Sequence, residues 1–138
     1  MIVWTEGLRV GHPDIDRDHQ RLIGIINEFI EQAKNADNHR LMHETLKSLL
    51  MYTREHFKNE EKIQRECMYP YAKMHASEHE NLIKQVEGMA KIYFIEKSQP
   101  IDNIAISRMK DLLNMWLIEH INKFDLNLRD WVVPAEST

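Results

Sequence analysis

Between His56 and Asp125 the chain sets out side chains that bind metals, at spacings that a helix brings to one face. His56-Phe57-Lys58-Asn59-Glu60 puts an imidazole and a carboxylate four residues apart. Residues four apart on a helix lie one turn above each other on the same face. His75-Ala76-Ser77-Glu78-His79 repeats the spacing with two imidazoles, a familiar metal-binding pair. His120 and Asp125 follow near the other end, and His19 precedes them all. This set of imidazoles and carboxylates points to a metal centre, and the elements that carry it must bring four separate stretches together.

Composition says which elements those are. The chain has 138 residues, enough for one domain with a proper core, and only four glycines and four prolines. That scarcity argues for long helices rather than a turn-rich sandwich. Leu22, Ile25, Ile26, Phe29 and Ile30 recur with helical period in a first helix that runs to about Asn35, with Asp14 and Asp16 as candidate caps. Leu41, Leu46, Leu49, Phe57 and Ile63 mark a second helix, ending near Cys67 before Tyr69-Pro70, and Pro70 suits the first position of a third. Leu82, Val86, Met89 and Phe94 mark that third helix, broken at Ser98-Gln99-Pro100. Ile104, Met109, Leu113, Trp116, Leu117, Ile121 and Leu128 mark the fourth. The expected fold is all-α, an antiparallel up-down four-helix bundle over 14–130, with an N-terminal arm over 1–13 and a tail over 131–138.

In such a bundle the ligand-type residues fall at one end. His19 starts helix one, His56 and Glu60 end helix two, His75 and His79 start helix three, and His120 and Asp125 end helix four. His19 and His56 lie almost equally far from the Asp37 turn, and His79 and His120 are nearly symmetric about Pro100. At a rise of about 1.5 Å per residue, mismatches of a few residues amount to only a few Å. His39 and His43 share the i, i+4 spacing but begin helix two, roughly 20–25 Å away along the axis. They and His12 are expected to be solvated surface residues. Burying five imidazoles and two carboxylates without a metal would leave many polar groups needing partners.

The donor set restricts the metal. Seven ligands are too many for one structural zinc. Calcium and magnesium prefer oxygen, whereas mixed imidazole and carboxylate suits iron among others. Two octahedral metals sharing two bridging carboxylates and a bridging hydroxide account for the set. One metal, with three imidazoles, is then full, and the other keeps a single open position.

The sequence resembles the hemerythrin family, most closely its single-domain bacterial members. The resemblance rests on Trp4 in the arm, Asp16-x-x-His19 with Leu22 after it, His56-Phe57-x-x-Glu60-Glu61, Tyr69-Pro70, His75-x-x-x-His79 and His120-x-x-x-x-Asp125, and it covers nearly the whole chain. It implies a cofactor of two non-haem iron ions and reversible binding of dioxygen. It implies that His75, His79 and His120 hold the saturated iron, that His19 and His56 hold the iron with the open position, and that Glu60 and Asp125 bridge. It also implies an apolar oxygen pocket to which Leu22, Phe57, Trp116, Leu117 and Ile121 correspond. One departure stands out: four residues after Glu60 the family commonly has an apolar residue, usually methionine, and this chain has Gln64. Gln64 is expected to rotate into solvent; facing inward, it would add a polar amide to the pocket.

The functional expectation is therefore an oxygen carrier, store or sensor rather than an enzyme. The alternatives are a di-iron enzyme handling peroxide or nitric oxide, and a protein of iron storage or sensing. Net charge is −4 with no basic stripe, so nucleic acid is not an expected partner. No run of about 18 apolar residues suggests a membrane span. Cys67 is the single cysteine, and the N-terminus lacks a basic region followed by an apolar run. The expectation is a cytoplasmic protein, monomeric or weakly oligomeric.

Overall fold

Apolar periodicity is expressed as four long helices in the computed structural model, which describes residues 1–132. Helix α1 spans Pro13–Gln32, α2 His39–Glu66, α3 Ala72–Ala90 and α4 Asn103–Lys123, and a short α5 covers Arg129–Val132. α3 continues into a π-helical stretch, Lys91–Ile95. No strand occurs among the described residues. The helices form the antiparallel bundle that the periodicity calls for. Ile26, Met42, Leu46, Val86, Leu113 and Ile121, drawn from all four helices, are fully buried in its core.

α1 starts differently from expectation. His12 is its N-cap, its Nδ1 accepting from the Asp14 backbone N–H at 3.2 Å, and Pro13 occupies the first helical position, where its missing N–H is no loss. Asp14 instead pairs with Arg17, at 2.9 Å. The Asp16 carboxylate turns back to the arm and accepts from the N–H groups of Val10 at 2.7 Å and Gly11 at 3.0 Å. Gly11 has φ +105°, a conformation that side-chain-bearing residues rarely adopt. The arm is thereby folded onto the entrance of α1, close to the site. Farther along, the Asn27 side chain exchanges hydrogen bonds with both backbone groups of Ile2.

α2 ends in a Schellman arrangement. Tyr69 N–H bonds to Gln64 C=O at 2.9 Å and Met68 N–H to Arg65 C=O at 3.2 Å, with Met68 at φ 58°. α3 then begins at Ala72, two residues beyond Pro70, which lies in the turn rather than at the first helical position. A small second core of Val10, Ile15, Tyr69, Leu128 and Val132 closes this end of the bundle. Arg129 ties the two termini together by donating to Arg9 O at 2.6 Å and Gly7 O at 3.1 Å. The expected tail begins inside α5, at Trp131, and residues 133–138 lie outside the described residues. At the opposite end, His39 and His43 are half-buried rather than solvated, and His43 stacks on Phe94 with ring centroids 5.3 Å apart. Burial pushes the His43 imidazole below its ordinary pKa.

Candidate metal centre

Each long helix delivers its ligand-type side chains to the end capped by the second core. His19 comes from α1, His56 and Glu60 from successive turns of α2, His75 and His79 from successive turns of α3, and His120 from the last turn of α4. Asp125 stands apart. Five residues from His120 along an unbroken helix it would point about 140° away. α4 stops at Lys123 and a 3-10 turn, Asp125–Leu128, follows, which brings the carboxylate back to the histidines. All seven residues are at least 96 % buried, and Glu60, Asp125 and His19 are fully so.

The seven divide into two groups that share both carboxylates. Ligand atoms of Glu60, His75, His79, His120 and Asp125 lie within 4.8 Å of one another, and so do those of His19, His56, Glu60 and Asp125. Glu60 turns Oε1 toward His75 Nε2 (2.9 Å) and His79 Nε2 (3.3 Å), and Oε2 toward His56 Nε2 (3.0 Å) and His19 Nε2 (3.8 Å). Asp125 does the same. Its Oδ1 faces His75 Nε2 (2.8 Å) and His120 Nε2 (2.9 Å), and its Oδ2 faces His19 Nε2 (2.9 Å). Hydrogen bonding does not satisfy this cluster. His19, His56, His79 and His120 Nε2, Glu60 Oε2 and Asp125 Oδ2 are all buried without an aligned hydrogen-bond partner. Buried polar atoms that are close yet unpaired are rare in folded proteins, and a cation between them would satisfy their lone pairs. The residues present therefore fit a pair of metal ions.

The comparisons with known proteins agree with this geometry. Residues 10–131 match the family model of the hemerythrin HHE cation-binding domain. The chain belongs to the hemerythrin family. It is 28% identical over 131 residues to a bacteriohemerythrin of Pseudomonas paraeruginosa, covering 95% of this chain and 81% of that one. A bacteriohemerythrin of Clostridium acetobutylicum is 29% identical over 128 residues, covering 91% and 96%. Myohemerythrin-1 of Phascolopsis gouldii is 26% identical over 127 residues, covering 92% and 91%. A crystal structure of wild-type hemerythrin superposes with a TM-score of 0.81 at 21% identity, over 97% of this chain and 99% of that one, which shows the shared fold.

Around the candidate ligands of this hemerythrin-family chain, further side chains hold three of the rings. His56 Nδ1–H donates to Asp18 Oδ2 and His79 Nδ1–H to Glu61 Oε2, both at 3.0 Å. His75 Nδ1 faces the Gln64 amide. Asp18 sits on α1 and Glu61 on α2, so each reaches across to a neighbouring helix. Spacing along one helix could not reveal either role, although Glu61 stands in the quoted family motif. Charge within the cluster is tightly balanced. Burial works against a charged His19, but the adjacent Asp125 and Glu60 carboxylates outweigh it and raise its pKa to about 10. The same contest raises His75 to about 9. Burial likewise works against the ionised carboxyls of Glu60 and Asp125, yet the surrounding imidazoles hold both well below the usual carboxylate range.

Of the expected pocket residues, Leu22, Phe57, Trp116 and Leu117 line a closed cleft together with Leu82, His19, His56, His120 and Asp125. Leu82, one helical turn beyond His79, is the wall residue that the sequence reading passed over. Ile121 is fully buried but is not among the lining residues. Gln64 does not rotate into solvent. It is fully buried, yet it lies against His75 and not on the cleft.

Proposed function

We propose that this protein holds two non-haem iron ions and binds dioxygen reversibly at the one with an open position. His75, His79 and His120 serve one iron, His19 and His56 the other, and Glu60 and Asp125 give one oxygen to each. The observation that carries the reading is the division of each carboxylate between the two histidine groups. The first group offers five protein ligand atoms and the second four. Two ions held there would therefore differ by one protein ligand, and the one served by His19 and His56 would have the more room for an added ligand. Mixed imidazole and carboxylate donors suit iron. Bound there, a pair of ferrous ions would supply the two electrons that reversible dioxygen binding requires.

The chain's own residues provide the rest. Asp18 and Glu61 fix the rings of His56 and His79 with Nε2 turned inward. The cleft beside His19 and His56 is walled by Leu22, Phe57, Leu82, Trp116 and Leu117. An apolar wall disfavours the escape of charged, reduced oxygen species and thereby favours release as dioxygen. The ionisable groups on the cleft are all candidate ligands, so it offers no separate general base. Gln64 lies against His75 and adds no polar group to the cleft.

The test is optical. Reduced, iron-loaded protein is titrated with oxygen under anaerobic handling, and oxygen is then removed. The expected result is a visible charge-transfer band that saturates at one dioxygen per two irons and disappears on removal. Absence of the band, or irreversible oxidation in a single cycle, contradicts reversible binding.

A further inference from the structure

Gln64 carries an unexplained buried amide. It lies one turn beyond Glu60 on α2, so the two side chains share a face. Its Nε2 is 2.9 Å from His75 Nδ1 and 3.5 Å from Glu60 Oε1, and its Oε1 is buried without a partner. Turning the amide over exchanges its two ends with almost no change of shape. As it lies, the far end, Oε1, gains no donor. The end that faces His75 is therefore decided by where the His75 proton sits.

A neutral imidazole carries one proton. The amide NH₂ end now set against Nδ1 fits only a ring whose Nδ1 is bare and whose proton sits on Nε2. His75 Nε2, however, is the atom that points to both carboxylates, at 2.8 Å from Asp125 Oδ1 and 2.9 Å from Glu60 Oε1. Once that nitrogen is given to a cation, its proton must sit on Nδ1, where Gln64 is the polar side chain in hydrogen-bond contact. The amide oxygen is the end that can receive it. The weak contact to Glu60 Oε1 is then dispensable, because that oxygen also faces the cation.

We propose that Gln64 is a positioning residue for His75, its amide oxygen accepting the Nδ1 proton so that Nε2 is presented to the metal. This rests on the metal-centre reading above and assigns a role to the position where the family resemblance led one to expect methionine. A neutral acceptor suits the place. His56 and His79 lean on carboxylates, Asp18 and Glu61, that are 24% and 30% exposed, whereas Gln64 is buried and offers His75 its acceptor without a charge. Partners of this kind orient a ligating histidine and raise its basicity, and losing one typically costs about 10- to 100-fold in metal affinity.

The experiment compares parent, Gln64→Met and Gln64→Glu. Methionine matches the volume without the acceptor; glutamate keeps an acceptor. Each protein is loaded with ferrous iron, and release to a ferrous-specific chelator is followed without oxygen. The expected result is release at least about 10-fold faster from Gln64→Met than from the parent, with Gln64→Glu restoring most of the difference. In parallel, histidine-labelled protein loaded with zinc, a diamagnetic probe, is studied by NMR. The His75 Nδ1 proton should exchange slowly with water in the parent and quickly in Gln64→Met. Equal release rates in parent and Gln64→Met overturn the assignment while leaving the metal centre intact. So does a Gln64→Glu protein that releases as fast as Gln64→Met, or a zinc-loaded parent whose His75 Nδ1 proton exchanges freely. A parent that retains no iron sinks the metal-centre reading and takes this assignment with it.

Discussion

Glu60 and Asp125 are the residues that turn two histidine clusters into one centre, because each shows one oxygen to either side. Their loss should therefore differ in kind from the loss of a histidine. Glu60→Gln is expected to strip both metals, whereas His79→Ala should weaken the three-histidine side first; iron analysis after gel filtration separates the two outcomes. His39→Ala and His43→Ala should leave iron content unchanged, since both residues sit at the other end of α2. Iron lost equally from His39→Ala and His79→Ala would contradict this division of the molecule. Two pairs of candidate ligands, His56 with Glu60 and His75 with His79, could be read from the sequence because four-residue spacing fixes a common helical face whatever the neighbours do. The inward turn of Gln64 was only half legible. Its spacing from Glu60 placed it on the right face, but the partner that holds it, His75, belongs to another helix. Asp18 and Glu61 were unreadable for the same reason, since which flank of a helix meets its neighbour depends on how the helices are rotated in the bundle.

The helices themselves were written plainly in the apolar periodicity, and the ends were not. Whether Asp14, Asp16 or His12 caps α1 is decided by where the arm folds back, a tertiary matter. Asp125 shows what a misplaced end would cost. Only because α4 gives way to a 3-10 turn does a residue five positions beyond His120 return to the site. At the end of α2, Met68 occupies a left-handed conformation at φ 58° with its side chain 83% exposed. Glycine accepts that conformation without a Cβ clash. Met68→Gly should thus raise stability by about 0.5–1 kcal/mol, measured by denaturant unfolding of the metal-free chain. Asp102 caps α4 by accepting from Ala105 N–H at 2.8 Å, so Asp102→Ala should cost about 1 kcal/mol in the same assay. An unchanged midpoint for either variant would mean that these ends are held by something other than their caps.

Taken whole, the bundle encloses at one end a set of charges that no apolar core tolerates unpaired, and its pH response follows. His19, raised to about 10, and His75, raised to about 9, exceed the ordinary histidine value of about 6.5. Their imidazolium–carboxylate attraction stabilises the metal-free chain fully below that ordinary value and is lost as pH rises toward 9 and 10. Glu60 and Asp125 are held below the usual carboxylate range, so their contribution is present at neutral pH and lost as acid protonates them. The thermal midpoint of metal-free protein should therefore be highest near about pH 5–6.5 and fall on both sides. Metals take the place of those protons, so loading near pH 7 should release protons into a weakly buffered solution and remove the alkaline decline. The most direct test of the central claim is the stoichiometry of that loading. Ferrous iron titrated anaerobically into the metal-free chain should give an endpoint at two ions per chain, reduced in both Glu60→Gln and Asp125→Asn. An endpoint at one ion per chain in the parent, or an endpoint of two untouched by either substitution, would contradict a centre built on shared carboxylates.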